Sequence, residues 1–214
     1  MTTTRLVVSL TAFAAVTLGL VAAAGAASRF EREVDRLAEL LGVGPGSRVA
    51  DVGAGKGHFA IAFAERVGPE GHVYATEIEA TQRAKIARAA RDAGLANLTV
   101  LEALEDATGL PDGCCDAIFL RVVYHHLAQP APILASLARA LRPGGRLVVV
   151  DFRPTRWLAL WTPKDVPEDR GGHGVAPEIV RREAVAAGFE PLSLDEEWPS
   201  SWLMRHYAIA FRRP

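Results

Sequence analysis

The stretch Val49–His58 reads VADVGAGKGH, and it decides the fold. It overlaps a short apolar run, Arg48–Val52, and leads into a segment with helical periodicity, His58–Val67. Glycines between a strand and a helix let the backbone turn sharply and let a ligand approach the main chain closely. The start of the helix adds free N–H groups and the positive end of a dipole. The stretch therefore predicts a strand–loop–helix unit that binds a carboxylate or a phosphate.

Outward from this unit, apolar strand-like runs alternate with helical segments that end at glycine or proline. The predicted strands are Arg48–Val52, His72–Thr76, Leu98–Leu101, Ala117–Val123 and Arg146–Phe152. The predicted helices are His58–Val67, Gln82–Ala93, Ile133–Leu141 and Glu178–Ala187, and an amphipathic helix from Arg29 to Gly42 precedes them all. Such alternation implies a parallel sheet with helices on both faces.

The last two strand candidates, Leu192–Glu196 and His206–Phe211, have no helix between them. A hairpin of these two strands would place an antiparallel strand in the sheet. The predicted fold class is therefore α/β, with a doubly wound, mostly parallel, seven-stranded sheet and an antiparallel last strand.

The composition is that of an ordinary globular domain. The chain has 214 residues, of which 50% are hydrophobic and 23% charged, and its formal net charge is −1. Disordered and collagen-like classes are excluded, and the charge argues against bulk electrostatic binding of nucleic acid. The two cysteines, Cys114 and Cys115, are adjacent. Consecutive Cα atoms lie about 3.8 Å apart, short of the usual disulfide range of about 4.4–6.8 Å, so thiols are expected.

The N-terminus differs from the rest of the chain. Leu6–Ala27 carries no charge, and a helix of that length would span about 33 Å, enough for a bilayer core. The small residues Ala24-Gly25-Ala26 fit a signal-peptide cleavage site, but the stretch exceeds the usual apolar region of such peptides. Residues 1–28 are therefore predicted to be a signal peptide or a membrane anchor, with a buried helix as the third alternative, and residues 29–214 the folded domain. A membrane-associated or exported protein is expected.

Several nucleotide-binding motifs contain a glycine loop of this kind, and the spacing of the glycines distinguishes among them. A dinucleotide fingerprint G-x-G-x-x-G would require glycine at His58, and no P-loop string occurs. The pattern is D-x-G-x-G-x-G beginning at Asp51, and Glu77 stands 20 residues after Gly57, at the end of the second strand. A carboxylate there can accept hydrogen bonds from ribose hydroxyls. The pattern resembles motif I of the class I S-adenosylmethionine-dependent methyltransferases.

The resemblance extends over residues 40–212 and includes the LRPGGRL turn at Leu141–Leu147. It implies the Rossmann-like methyltransferase fold and S-adenosylmethionine as cofactor. Its implied cofactor-binding residues are Asp51, Gly53, Ala54, Gly55, Gly57, Glu77, Ile78, Glu105, Asp106 and Arg121. Asp51 has the alternative role of holding the loop through backbone N–H groups. Either Glu105 or Asp106 would meet the adenine amino group, and we favour Asp106.

The implied reaction is in-line transfer of the sulfonium methyl group to a nucleophile, for which a general base is useful when that nucleophile arrives protonated. The candidates follow the fourth strand: Tyr124, His125 and His126. A capping or packing role is the alternative for the histidines. The segment is not the [ND]-PP-[YF] motif of amino-directed nucleic-acid methyltransferases, which favours a small-molecule acceptor and no nucleic-acid partner.

Further substrate-side candidates are the glycine-containing loop Asp169–Gly174, as a lid, and Trp157, Trp161 and Trp202, which either line an apolar pocket or pack in the core. No metal site is expected, and the oligomeric state is open. The alternative functions are a non-catalytic S-adenosylmethionine-binding or partner protein, a nicotinamide-dependent reductase, and a protein carboxyl methyltransferase. The last rests on Val67–Gly71, VGPEG, which resembles isoaspartyl methyltransferases. Because the cofactor is made in the cytosol, an anchor that leaves the domain facing the cytoplasm is compatible with this function.

Overall fold

A computed structural model describes residues 29–154, 174–199 and 205–214, and a seven-stranded sheet organises them. The helices are α1 (29–41), α2 (His58–Val67), α3 (Ala80–Asp92), α4 (Pro130–Ala140) and α5 (Pro177–Ala186). The strands are β1 (Arg48–Val52), β2 (His72–Glu77), β3 (Leu98–Glu102), β4 (Cys115–Arg121), β5 (Leu141–Phe152), β6 (Glu190–Asp195) and β7 (His206–Arg212).

The strand order is β3-β2-β1-β4-β5-β7-β6. The first five strands pair in parallel, and β7 lies antiparallel between β5 and β6. The predicted fold class and the terminal hairpin are confirmed. The strand order reverses direction between β1 and β4, and open α/β sheets bind ligands at the carboxyl ends of the strands at such a point.

Most strands differ from the prediction by one or two residues at an end, and two of the differences have a clear structural cause. β5 begins at Leu141, because the proline–glycine turn that was expected to precede it is paired with the C-terminus: Gly144 N donates to Arg213 O, and Arg213 N donates to Gly145 O, both at 2.8 Å. β4 ends at Arg121 instead of Val123, since Val122 has a φ of 57°. A β-branched residue rarely adopts this left-handed conformation, and it turns the chain away from the sheet.

The core has two layers. One layer packs α1, α2 and α3 on one face of the sheet, through side chains such as Leu37, Phe63 and Ile86. The other layer packs α4 and α5 on the opposite face, through side chains such as Leu137 and Val180. The helical periodicity of each segment places these apolar residues on one side, and their burial stabilises the sheet between them.

Cys114 and Cys115 correct the expectation of two thiols. Their Cα atoms are 3.8 Å apart, as chain geometry requires, but their sulfur atoms are joined as a disulfide of adjacent residues. Both side chains are buried in the same apolar cluster, so their directions converge in a way that Cα spacing alone does not reveal.

Several predictions fall outside the described residues. They concern the apolar segment 6–27, the tryptophans Trp157, Trp161 and Trp202, and the loop Asp169–Gly174 apart from Gly174 itself. Within the described ranges, no helix has both the length and the apolar character needed to cross a membrane.

Candidate functional site

The glycine loop between β1 and α2 is tied to β2 and open at its centre. Gly53 N and Ala54 N donate to Thr76 O at 2.9 and 3.0 Å, and Gly53, Gly55 and Gly57 all have φ values between 54° and 77°. A Cβ atom at Gly53 would lie 2.6 Å from a methyl group of Val123, and one at Gly57 would lie 2.8 Å from Ile86. A Cβ at Gly55 would have no neighbour within 4 Å. The outer two glycines therefore permit packing, whereas Gly55 leaves space at the centre of the loop.

Glu77, at the end of β2, is held against this open part of the loop. Its Oε2 accepts a hydrogen bond from Gly55 N at 2.8 Å, and its Oε1 accepts one from Glu79 N at 3.1 Å. Each carboxylate oxygen has lone pairs for a further donor. The carboxylate is thus oriented before any ligand binds, and it can accept hydrogen bonds from a pair of hydroxyl groups.

Two exposed apolar side chains stand beside Glu77. Ile78 follows β2, Leu104 follows β3, and each is 56% exposed. These two strands are neighbours, with Glu77 in register with Glu102. Glu105 and Asp106 are also exposed, in a turn that is closed by Leu104 N donating to Ala107 O at 2.8 Å. This edge presents apolar surface and carboxylates, which suits a planar base with an amino group. Leu104 was missed by the sequence analysis.

A cleft of about 480 Å³ lies on the other side of the loop. Its lining includes four predicted residues of the loop region, Asp51, Gly53, Ala54 and Gly55, together with the predicted Arg121. It also includes residues that the sequence analysis did not identify: Arg29, Phe30 and Glu33 of α1, and Phe59 of α2. Gly57, Glu77, Ile78, Glu105 and Asp106 lie outside this lining. α1 therefore forms a wall of the cleft.

Both of the roles that the sequence left open for Asp51 stay predictions. Its side chain is 3% exposed and lines the cleft, and the backbone N–H of Ala60 in α2 bonds to its carboxylate. Burial raises the pKa of Asp51 to about 7; the positive charge of Arg121 and the Ala60 bond oppose this rise, and the negative charge of Glu77 adds to it. The buried carboxyl thus stands near the midpoint of its titration at neutral pH.

Arg121, the last residue of β4, is half-buried and pairs with the buried carboxylate of Glu33. Its Nε and Nη2 donate to the two carboxylate oxygens of Glu33 at 2.7 and 3.0 Å. The indole Nε1 of Trp198 donates to Glu33 Oε1 at 2.9 Å. The guanidinium carbon lies 4.7 Å from the centroid of the Phe59 ring, within the range of a cation–π contact. These contacts fix the position of the guanidinium at the edge of the cleft.

The three candidate bases follow β4 in a short 3-10 turn, Tyr124–His126, and none of them lines the cleft. The Tyr124 ring is fully buried and its hydroxyl donates to Glu183 Oε2 at 2.7 Å, which favours a packing role. His126 is exposed, and its ring centroid lies 3.9 Å from that of His125. These catalytic assignments remain predictions.

His125 forms a buried pair with Asp151, at the end of β5, a residue that the sequence analysis missed. His125 Nδ1 lies 2.9 Å from Asp151 Oδ1, and the backbone N–H groups of His125 and Phe152 donate to the same carboxylate. The two side chains are 1% and 0% exposed. The Asp151 carboxylate thus joins the His125 ring to two backbone N–H groups and holds that ring in one orientation.

In the part of the chain that the structure describes, no group of three or more histidine, cysteine, aspartate or glutamate side chains is arranged to hold a metal ion.

Comparison with known proteins finds similarity to methyltransferases. A family model described as a methyltransferase domain matches residues 50–149. A curated relative, the ubiquinone/menaquinone biosynthesis C-methyltransferase UbiE of Pseudomonas fluorescens, is 33% identical over 123 residues, which are 56% of this chain and 48% of the relative. The corresponding protein of Ectopseudomonas mendocina is 34% identical over 116 residues, 53% of this chain and 45% of the relative. The chain spans about half the length of the curated relatives it matches.

Solved structures show a similar fold over most of the chain. A SAM-dependent methyltransferase from Aquifex aeolicus superposes with a TM-score of 0.69 at 22% identity, over 85% of this chain and 89% of the other. The [4+2]-cyclase SpnF superposes with a TM-score of 0.69 at 19% identity, over 86% and 81% of the two chains. At these identities the likeness is one of fold, and a fold can carry different chemistries.

Proposed function

We propose that this chain, which belongs to the class I S-adenosylmethionine-dependent methyltransferases, transfers the methyl group of that cofactor to a small-molecule acceptor. S-adenosylmethionine is its cofactor. The observation that carries the proposal is the hydrogen bond of 2.8 Å between Gly55 N and Glu77 Oε2, which joins the open glycine loop to an oriented carboxylate.

The residues present fit this cofactor. The open space at Gly55 and the carboxylate of Asp51 suit its amino-acid end, Glu77 suits its ribose, and the exposed Ile78 and Leu104 suit its adenine. When bound, the cofactor supplies a methyl group on a sulfonium sulfur that is already an activated leaving group. The protein's task is then to align the methyl acceptor and to exclude water.

His125 is the proposed proton acceptor for a hydroxyl or amine that is methylated. Asp151 orients its ring through Nδ1. His126 is the second candidate because it adjoins His125 in the same turn and is exposed.

The methyl acceptor is proposed to be a small organic molecule. The curated relatives are named as C-methyltransferases of ubiquinone and menaquinone biosynthesis, so quinols and phenols are the first compounds to test. Thiols and carboxylates complete the panel, because they ionise at lower pH and need less help from a base.

Calorimetry with S-adenosylmethionine, followed by measurement of S-adenosylhomocysteine release with each compound, tests the proposal. Binding together with release that depends on one class of compound is the expected result. Binding without release from any compound would favour a non-catalytic cofactor-binding protein, and failure to bind S-adenosylmethionine would refute the proposal.

On sequence grounds we also propose that residues 6–27 direct the protein to a membrane, as an anchor or as a cleaved signal. A reporter fused to the C-terminus distinguishes the two faces of the membrane, and N-terminal sequencing of the mature chain detects cleavage. A full-length chain found only in the soluble fraction would contradict this proposal.

A further inference from the structure

Glu33 of α1 is a carboxylate buried where apolar packing would be expected. It is 4% exposed, and its neighbours Val34, Leu37 and Ala38 form part of the core. Burying a charge is costly unless it is paired and hydrogen-bonded. Three donors meet this carboxylate: Nε and Nη2 of Arg121, and the indole N–H of Trp198. Three distant segments of the chain therefore converge on the side of the cleft.

Arg121 has a second acidic neighbour in Asp51. The two residues lie on adjacent parallel strands, where Asp51 is in register with Phe119, two residues before Arg121. Alternate residues of a strand share a face, so Phe119 and Arg121 project to the same side of the sheet, and both Asp51 and Arg121 line the cleft. The charge of Arg121 lowers the pKa of Asp51 against the effect of burial. Even so, no hydrogen bond or ion pair joins these two side chains in the described structure.

The orientation of the guanidinium explains this absence. Glu33 occupies its Nε–Nη2 edge, and the Phe59 ring lies against its face. Guanidinium groups frequently form two-point ion pairs with carboxylates. Glu33, which also lines the cleft, forms such a pair with Arg121, whereas Asp51 does not.

We propose that Glu33 is a positioning residue of the cofactor cleft: by binding Arg121 it keeps the guanidinium away from Asp51, so that the Asp51 carboxylate remains free to accept a cationic amino group. This inference depends on the proposed function only for the identity of that amino group, which is the one on the amino-acid end of S-adenosylmethionine. Loss of Glu33 frees Arg121 to pair with Asp51, and the cleft loses its acceptor for the ligand.

The inference predicts a rescue that a purely structural role for Glu33 does not. If Glu33 only holds α1 against the sheet, removing Arg121 as well does not improve ligand binding, because the contact between α1 and the sheet is already lost. If Glu33 keeps Arg121 away from Asp51, removing Arg121 in the Glu33→Ala background restores the free carboxylate. Arg121→Met is the suitable second change, because it removes the charge and keeps apolar bulk beside Phe59.

Calorimetry of the full-length chain with S-adenosylhomocysteine provides the first test. We expect Glu33→Ala to weaken binding about tenfold or more, and Glu33→Ala/Arg121→Met to recover most of that loss. Asp35→Ala is the matched control, because Asp35 lies on the same helix and makes an exposed ion pair with Arg66; it should leave binding unchanged. Glu33→Gln, which retains the size of the side chain, should change binding in the same direction by less and covers the case in which Glu33→Ala does not fold.

Titration of the Asp51 carboxyl by carbon NMR in the ligand-free chain provides the second test. The groups that act on this carboxyl are Arg121, Glu77 and the Ala60 N–H. We expect the pKa of Asp51 to fall in Glu33→Gln or Glu33→Ala and to rise again in the double variant. An unchanged pKa in the single variants, or a double variant that binds no better than the single one, would overturn the inference. If the wild-type chain did not bind S-adenosylhomocysteine while the titration behaved as expected, the proposed function would fail and the positioning role would stand.

Discussion

Replacing Glu77 by alanine is the most direct test of how the cofactor is held. The carboxylate accepts Gly55 N through Oε2 and Glu79 N through Oε1, at 2.8 and 3.1 Å. Glu77→Ala removes the proposed ribose contacts and the restraint on the open part of the loop. A lost charge-assisted hydrogen bond costs about 1–3 kcal/mol, which corresponds to a dissociation constant about 5- to 150-fold weaker.

Glu77→Gln separates charge from shape. The amide oxygen can still accept Gly55 N, whereas the amide nitrogen can no longer accept a hydroxyl group. We therefore expect the affinity of Glu77→Gln for S-adenosylhomocysteine to lie between that of the wild type and that of Glu77→Ala. Calorimetry with S-adenosylhomocysteine measures all three proteins, and circular dichroism establishes that each is folded.

Glu79→Ala is the control for a change in local charge. Glu79 contacts Glu77 through its backbone N–H, and its side chain is exposed. Its removal should leave affinity within about twofold of the wild type. If Glu77→Ala bound as tightly as Glu79→Ala, the assignment of Glu77 to the ribose would be refuted.

Four further predictions concern the loop, the buried acid and the two members of the histidine pair. Gly53→Ala should lower the free energy of unfolding, measured in urea, by more than Gly55→Ala, because both residues have positive φ but only the first would also collide with a neighbouring side chain; equal losses would contradict this. Burial raises the pKa of Asp51 from 3.8 to about 7, so the folded chain retains a proton that the unfolded chain has released, and this group's contribution to stability falls as pH rises from 3.8 to about 7. Asp51→Asn should remove that fall, as seen in urea titrations at several pH values. Asp151→Ala should destabilise the fold by about 2–4 kcal/mol, since it leaves buried donors without their acceptor. His125→Ala should lower turnover about 10²–10⁴-fold without weakening cofactor binding, and wild-type turnover would exclude His125 as the base.

The fold could be predicted from the sequence because the residues that begin and end its helices and strands are local signals. Glycine and proline end the helices, and apolar runs mark the strands, so most boundaries differ from the structure by only a few residues. The end of β4 had no such signal, since nothing in the sequence indicates that Val122 adopts a left-handed conformation. The start of β5 was missed because its pairing depends on Arg213, which is distant in the chain.

In the candidate site, too, the residues that follow a local pattern could be predicted, whereas those that depend on tertiary contacts could not. The loop glycines and Glu77 follow a local pattern, and the structure brings them together as that pattern implies. Glu33 and Asp151 were missed, because their partners lie 88 and 26 residues away and are brought near only by tertiary packing. Weak signals were nevertheless present: Glu33 stands four residues before the core residue Leu37, and Asp151 follows an unbroken apolar run.

The position of β7 has a consequence for how the chain is made. This strand is synthesised after β5 and β6, yet it is the neighbour of both. Until it emerges from the ribosome, β6 has no strand to pair with, and one edge of β5 stays open to any other extended peptide. Completion of the sheet must therefore wait for the synthesis of β7, and a chain that stopped before His206 would leave β6 without a partner and one edge of β5 open.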